Sequence, residues 1–192
     1  MITTSIDKSS FLYNFLKAIC LIIFKIFYHI EVEGDINLPE DKGYIICSNH
    51  LHLFDPVLIA CFTKRQLSFM GKKELFDIPI LKWVLRKVSA FPVDRGNSDI
   101  AALKTAINIL TSNNVMAMFP EGTRSKTGEL GEFKGGAALI AYKADVPIVP
   151  VKIIGKYRIF SKITLKIGNP ILPDKGNRKE LKNILYERIK KM

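Results

Sequence analysis

The run Tyr44-Ile45-Ile46-Cys47 restricts the fold more than any other stretch. It is apolar, follows the turn-forming loop Pro39-Glu40-Asp41-Lys42-Gly43, and stops at the polar pair Ser48-Asn49. So short an apolar run between turn residues reads as a buried strand. Farther on, Asp55-Pro56 is a helix-start signal, since aspartate is a good N-cap and proline suits the first helical position; Val57 to Phe62 continues it. A strand, a turn and a helix are therefore expected in succession. His50 falls where the strand ends, and the turn can return Asp55 to it.

The same alternation runs on down the chain. Leu67 to Met70, Ala90 to Val93, Val115 to Phe119 and Ile163 to Ile167 read as strands. Helical spacing occupies 80–88, Ile100 to Leu110 after Ser98 or Asp99, Ala137 to Lys143, and Asn177 to Lys191. Val146 to Ile154 is β-branched, but Pro147 and Pro150 place it near a sheet edge or a strand entry. Strands alternating with helices imply an α/β sandwich on a central sheet, expected here as a central mixed β-sheet flanked by helices. The loops at His50, Arg95 and Glu121 leave strand ends, where such folds collect ligands.

Residues 11–30, FLYNFLKAICLIIFKIFYHI, are close to membrane-spanning length, yet Lys17 and Lys25 interrupt them. On a helical wheel Ser10, Asn14, Lys17, Lys25 and Tyr28 share one face, while Phe11, Phe15, Ile19, Ile22, Ile23, Ile26 and Ile30 lie opposite. The pattern predicts an N-terminal amphipathic helix that associates with a membrane surface, its lysines reaching headgroups; a core helix is the alternative. No small-residue cleavage site follows, which argues against a signal peptide. The expected organisation is this helix over 1–30 and a catalytic domain over 31–192. In 80–88, ILKWVLRKV, Trp83 beside Lys82, Arg86 and Lys87 fits either a second interfacial element or ordinary packing on the sheet.

A carboxylate bonded to one imidazole nitrogen fixes the tautomer and leaves the other nitrogen free to take a proton from a hydroxyl. The His50-x4-Asp55 spacing offers that pair, with His50 as base and Asp55 as its support. Taken alone, the spacing favours a polar strand-end residue and a helix cap. His52 is a second candidate base. An arginine at a strand end, such as Arg95 or Arg124, can grip phosphate through paired N–H donors, although each also suits a surface ion pair. The glycine-rich stretch Gly128 to Gly136 matches neither common nucleotide-binding fingerprint and reads as a mobile loop opening a helix.

Four blocks occur in order: Asn49 to Pro56 (NHLHLFDP), Phe91 to Arg95 (FPVDR), Phe119 to Ser125 (FPEGTRS) and Val146 to Val151 (VPIVPV). Together they closely resemble the 1-acyl-sn-glycerol-3-phosphate acyltransferase family, over about Glu31 to Pro170. One departure is His52, which stands where the family commonly has a small hydroxyl residue. The resemblance implies that His50 and Asp55 are catalytic, and that Arg95 and the loop Glu121, Gly122, Thr123 and Arg124 bind the glycerol phosphate. In that loop, Glu121 is expected to position Arg124 or the acceptor. The implied reaction moves a fatty acyl group from a thioester of acyl carrier protein or coenzyme A to the sn-2 hydroxyl of lysophosphatidate. The donor is then a substrate, and neither a cofactor nor a metal is expected. Other acceptors considered are glycerol 3-phosphate, other lysophospholipids and aminolipids.

Charge and cysteine usage restrict the partners. With 29 Lys and Arg against 18 Asp and Glu, the formal charge of +11 suits an anionic surface. The basic residues are dispersed without interleaved aromatics, which argues against nucleic acid. A non-catalytic basic protein on anionic membranes is the remaining alternative, although it gives no reason for the His50, Asp55, Glu121 and Arg124 set. Cys20, Cys47 and Cys61 all lie in apolar runs and are expected to be reduced core residues. These features predict a protein at the cytoplasmic face of the cell membrane, in contact with phospholipid.

Overall fold

The structure, a computed structural model, describes residues 11–35, 42–94, 99–173 and 178–192. In chain order the elements are α1 (Phe11–Phe27), β1 (His29–Glu33), β2 (Tyr44–Ser48), α2 (Asp55–Phe62), β3 (Leu67–Lys72), a 3-10 turn (Lys73–Phe76) and α3 (Pro79–Lys87). Then follow β4 (Ala90–Val93), α4 (Ile100–Thr111), β5 (Val115–Met118), α5 (Gly136–Ala144), β6 (Ile148–Gly155), β7 (Lys162–Ile167) and α6 (Arg178–Lys191).

The strands form one seven-stranded sheet in the order β1-β7-β6-β2-β5-β3-β4. From β6 to β4 every pairing is parallel, β7 is antiparallel to β6, and β1 is parallel to β7. The sheet is therefore mixed, in line with the expected fold class. β2 lies near its centre and is buried throughout. Its side chains alternate between layers: Ile45 and Cys47 join a core with α4, α5 and α6, while Tyr44 and Ile46 join one with α1 and α2. Parallel strands covered on both faces read as continuous apolar runs, which is why β2 is legible locally.

Three expectations need correction. Val146 to Ile154 supplies β6, an interior strand between β7 and β2, so the edge placement fails, while Pro147 stands at the strand entry just before Ile148. Pro150 is tolerated there because its main-chain polar side faces the end of β7, just past Ile167. Its carbonyl accepts from Gly168 N–H at 2.9 Å, and Ile148 pairs instead with Ile171. The missing Pro150 N–H therefore falls at the end of the β6–β7 ladder, where it interrupts no regular pairing. The N-terminal helix stops at Phe27, and His29 and Ile30 belong to β1, which pairs with β7. Lys17 does not reach outward: its Nζ donates to the carbonyl of Thr63 at the end of α2.

α1 packs by the stripe that carries Tyr13, Lys17, Cys20 and Phe24, whose spacing forms one helical face. Tyr13 Oη accepts from Leu67 N–H at 3.2 Å and so ties the helix to the start of β3. The opposite, more apolar face is exposed: Phe11 at 84%, Ile22 at 57% and Ile26 at 59%. Among the described residues, no helix is long and apolar enough to cross a membrane. The start signals differ in detail. Asp99 caps α4, accepting from Ala102 N–H, whereas Ser98 and Asn177 lie outside the described residues.

Candidate active site

The site is built where β2 ends. Asn49 continues the ladder with its side chain: Nδ2 donates to the Ile153 carbonyl at 2.9 Å, and Oδ1 accepts from Ile153 N–H at 2.7 Å. One amide thus mimics a peptide unit toward β6 and fixes the next residue, His50. Asp55 is the first residue of α2 and not its cap, which is Phe54. Its carboxylate turns back on the preceding loop. Oδ2 accepts from Leu51 N–H at 2.6 Å, His52 N–H at 2.7 Å and His50 Nδ1 at 2.8 Å. Oδ1 accepts from Tyr157 Oη at 2.6 Å. Four donors compensate a carboxylate with no exposed side-chain surface.

These contacts fix the histidine chemically. An ionised carboxylate only accepts, so Nδ1 carries the proton and Nε2 holds a free lone pair. The ring stacks on Phe119 with centroids 4.0 Å apart, and its side chain remains 13% exposed. Its backbone is also held, since His50 N–H donates to Glu121 Oε1 at 2.9 Å and its carbonyl accepts from Ser125 N–H at 2.8 Å. The structure thus brings His50, Asp55 and Glu121 together.

Glu121 is buried and acts as a clamp. One oxygen holds His50 N–H; the other accepts from Gly131 N–H at 2.9 Å, so it fastens the glycine-rich stretch to the histidine loop. Each oxygen of the Glu121 carboxylate thus holds one main-chain N–H. A Cβ at residue 131 would stand 2.9 Å from Glu121 Oε2. Gly131→Ala is therefore expected to lower the unfolding free energy by about 1–3 kcal/mol, read from urea denaturation. An unchanged transition would contradict the clamp. The Ser125 hydroxyl adds further bonds in the same stretch, accepting from Gly128 N–H at 3.0 Å and donating to the Glu129 carbonyl at 2.8 Å.

Gly122 has φ of +72°, a left-handed conformation that glycine adopts without strain. Thr123 and Arg124 follow it at the surface. Lys134, absent from the residues expected to bind substrate, lies against Gly122: a Cβ there would meet its side chain at 3.1 Å. Its only signal in the sequence was a cation near the glycine cluster. Arg95 lies outside the described residues. His52 stacks on Tyr157 with centroids 4.5 Å apart and accepts weakly from Phe54 N–H through Nδ1. It therefore covers the dyad's flank.

His50 opens on a cavity of about 930 Å³. Phe69, Leu75, Val84 and Leu85 supply apolar wall, and Gly122 and Lys134 lie on its margin. Leu16, Lys17, Cys20 and Cys61 also line it, so α1 forms part of the enclosure. Desolvation holds the Lys17 ammonium below the usual lysine range, the nearby Cys61 opposing it. Cys47 is fully buried, and burial pushes its thiol far above the usual range, which removes it as a nucleophile. Burial likewise pushes the Cys61 thiol up to about 12.

An imidazole with one free nitrogen, backed by a buried carboxylate and set at the mouth of an apolar cavity, has the arrangement needed to accept a proton from a hydroxyl beside an apolar group. Residues 29–154 match the acyltransferase family model. The chain is 35% identical over 176 residues to a 1-acyl-sn-glycerol-3-phosphate acyltransferase of Streptococcus pneumoniae, spanning 87% of this chain and 65% of that protein. To the protein of that name in Bacillus subtilis it is 31% identical, over 94% of this chain and 96% of the relative. Among solved structures it resembles the 1-acyl-sn-glycerophosphate acyltransferase PlsC of Thermotoga maritima. There the TM-score is 0.76 and the identity 30%, covering 94% of this chain and 79% of that one. This chain belongs to the acyltransferase family.

Proposed function

We propose that the protein transfers a fatty acyl group from a thioester to the sn-2 hydroxyl of 1-acyl-sn-glycerol 3-phosphate, giving phosphatidate. The observation that carries this reading is the free Nε2 of a carboxylate-backed His50 at the mouth of a large apolar cavity. Relatives matched over most of this chain bear the corresponding name.

In this mechanism Nε2 takes the proton of the acceptor hydroxyl as its oxygen attacks the thioester carbonyl. The new C–O bond forms, the C–S bond breaks, and the imidazolium returns its proton to the departing thiolate. Asp55 stabilises the imidazolium and keeps the ring aimed. The cavity takes acyl chain, while Arg124, Lys134 and Arg95 supply cations for the acceptor phosphate, so that the hydroxyl is held in place before reaction. Acyl carrier protein or coenzyme A carries the acyl group as a substrate. An acceptor panel tests the reading: kcat/KM is expected to be highest for lysophosphatidate, and preference for glycerol 3-phosphate or a lysolipid lacking a phosphomonoester would overturn it.

The exposed apolar face of α1 supports a site at a phospholipid surface, on the cytoplasmic side where the thioester donors are found. Because Ile22 and Ile26 are more than half exposed, substituting them leaves the packed face of α1 intact. Ile22→Asp/Ile26→Asp is expected to weaken binding to anionic phosphatidylglycerol vesicles about 100-fold or more in cosedimentation. Undiminished binding would show that another surface meets the lipid.

A further inference from the structure

We propose that Tyr157 is a positioning residue of the His50–Asp55 pair, its phenol anchoring the Asp55 oxygen that the imidazole does not use. The inference deepens the acyl-transfer reading of this site and rests on it.

Three donors converge on Oδ2, whereas Oδ1 receives the Tyr157 hydroxyl at 2.6 Å. A buried carboxylate is stable only when both oxygens are satisfied, and a bond at each end of the group also fixes its rotation. The plane of the Asp55 carboxylate sets the direction in which His50 Nδ1–H points, and through the ring it sets the direction of Nε2. Tyr157 therefore acts on the base through Asp55.

The phenol is itself held firmly. Its ring lies against His52 and meets Tyr28 edge-on with centroids 5.8 Å apart. The loop after β6 that carries it is fastened to the α1–β1 junction: Phe160 N–H donates to the Phe27 carbonyl at 2.6 Å, and His29 N–H to the Ser161 carbonyl at 2.9 Å. Phe160 adopts a left-handed φ of 64°, a conformation bulky residues keep only when surrounding contacts impose it. Burial first, then the Asp55 charge, raises the phenol well above the usual tyrosine range, so it stays protonated and donates. The ionisable groups facing it are Asp55 from α2, His52 from the preceding loop and Tyr28 from the α1–β1 junction.

Tyr157→Phe removes the hydroxyl and keeps the ring. In the full chain, kcat is expected to fall about 10- to 100-fold, with KM for lysophosphatidate within about two-fold of wild type. The low-field proton resonance of the His50–Asp55 hydrogen bond is expected to move as well. In an Asp55→Ala background the same substitution is expected to cost no further kcat, because no group at residue 55 remains for the phenol to anchor. Wild-type kcat with an unmoved resonance, or an equal loss in both backgrounds, overturns the proposal. His50→Ala in the same assay separates the two levels. If it is inactive while Tyr157→Phe equals wild type, the tyrosine assignment alone fails; if His50→Ala turns over normally, the acyl-transfer reading of the pair fails with it.

Discussion

His50→Ala is expected to lower acyl transfer by about 10²- to 10⁴-fold, the usual contribution of a positioned general base, while the chain still folds. The backbone bonds of His50 to Glu121 and Ser125 do not involve its side chain. Asp55 would keep Leu51 N–H, His52 N–H and the Tyr157 hydroxyl, so the buried carboxylate would not be stranded. Loss of the ring leaves a gap beside Phe119 and a modest decrease in stability. Initial rates and a denaturation curve on the same preparation check both halves. A folded variant with wild-type turnover would remove His50 from the chemistry.

Asp55→Asn tests the other half of the pair and is expected to have the second-largest effect. Three N–H donors point at the Oδ2 position, so the amide oxygen must sit there and the amide nitrogen at the Oδ1 position. The Tyr157 hydroxyl can turn and accept from that nitrogen, since a hydroxyl both donates and accepts. The loop geometry therefore survives, but the negative charge that supports the imidazolium is gone. A loss of about 10²- to 10⁴-fold in kcat is expected, with KM for lysophosphatidate little changed. Equal losses of kcat and of thermal stability would instead make Asp55 a loop-builder only.

Locally coded features were legible in the chain. β2 and α2 follow from a short apolar run and an Asp-Pro start, and His50 and Asp55 follow from where those elements end and begin. The structure brings the two together at 2.8 Å. Features that depend on distant partners were not legible. β1 exists because β7 offers it a ladder, and its HIEVE sequence is mostly exposed. Pro150 reads as an edge or strand-entry residue until the end of β7 shows why an interior strand accepts it. Asn49 looks like a strand terminus, yet its amide replaces a peptide unit toward Ile153. Tyr157 carries no local signal at all; only the return of the chain after β6 puts its hydroxyl on Asp55. Glu121 was visible as a site residue, but its part in binding two backbone amides requires the fold.

Helix α1 shows the same division. A helix over this stretch is legible in the sequence, but which face docks is a tertiary matter. Lys17 turns inward to Thr63, and Phe11, Ile22 and Ile26 turn outward. A lysine can bury its aliphatic stem when a carbonyl receives the ammonium, so a helical wheel alone assigns it to the wrong environment.

The most direct test of the central claim is to incubate purified protein with 1-acyl-sn-glycerol 3-phosphate and an acyl thioester labelled in the acyl chain, and to identify the labelled lipid by mass. Labelled phosphatidate carrying the new chain at sn-2, formed by wild type and nearly absent with His50→Ala, is the predicted result. Folded wild-type protein that forms no phosphatidate from either an acyl carrier protein or a coenzyme A thioester would contradict the account.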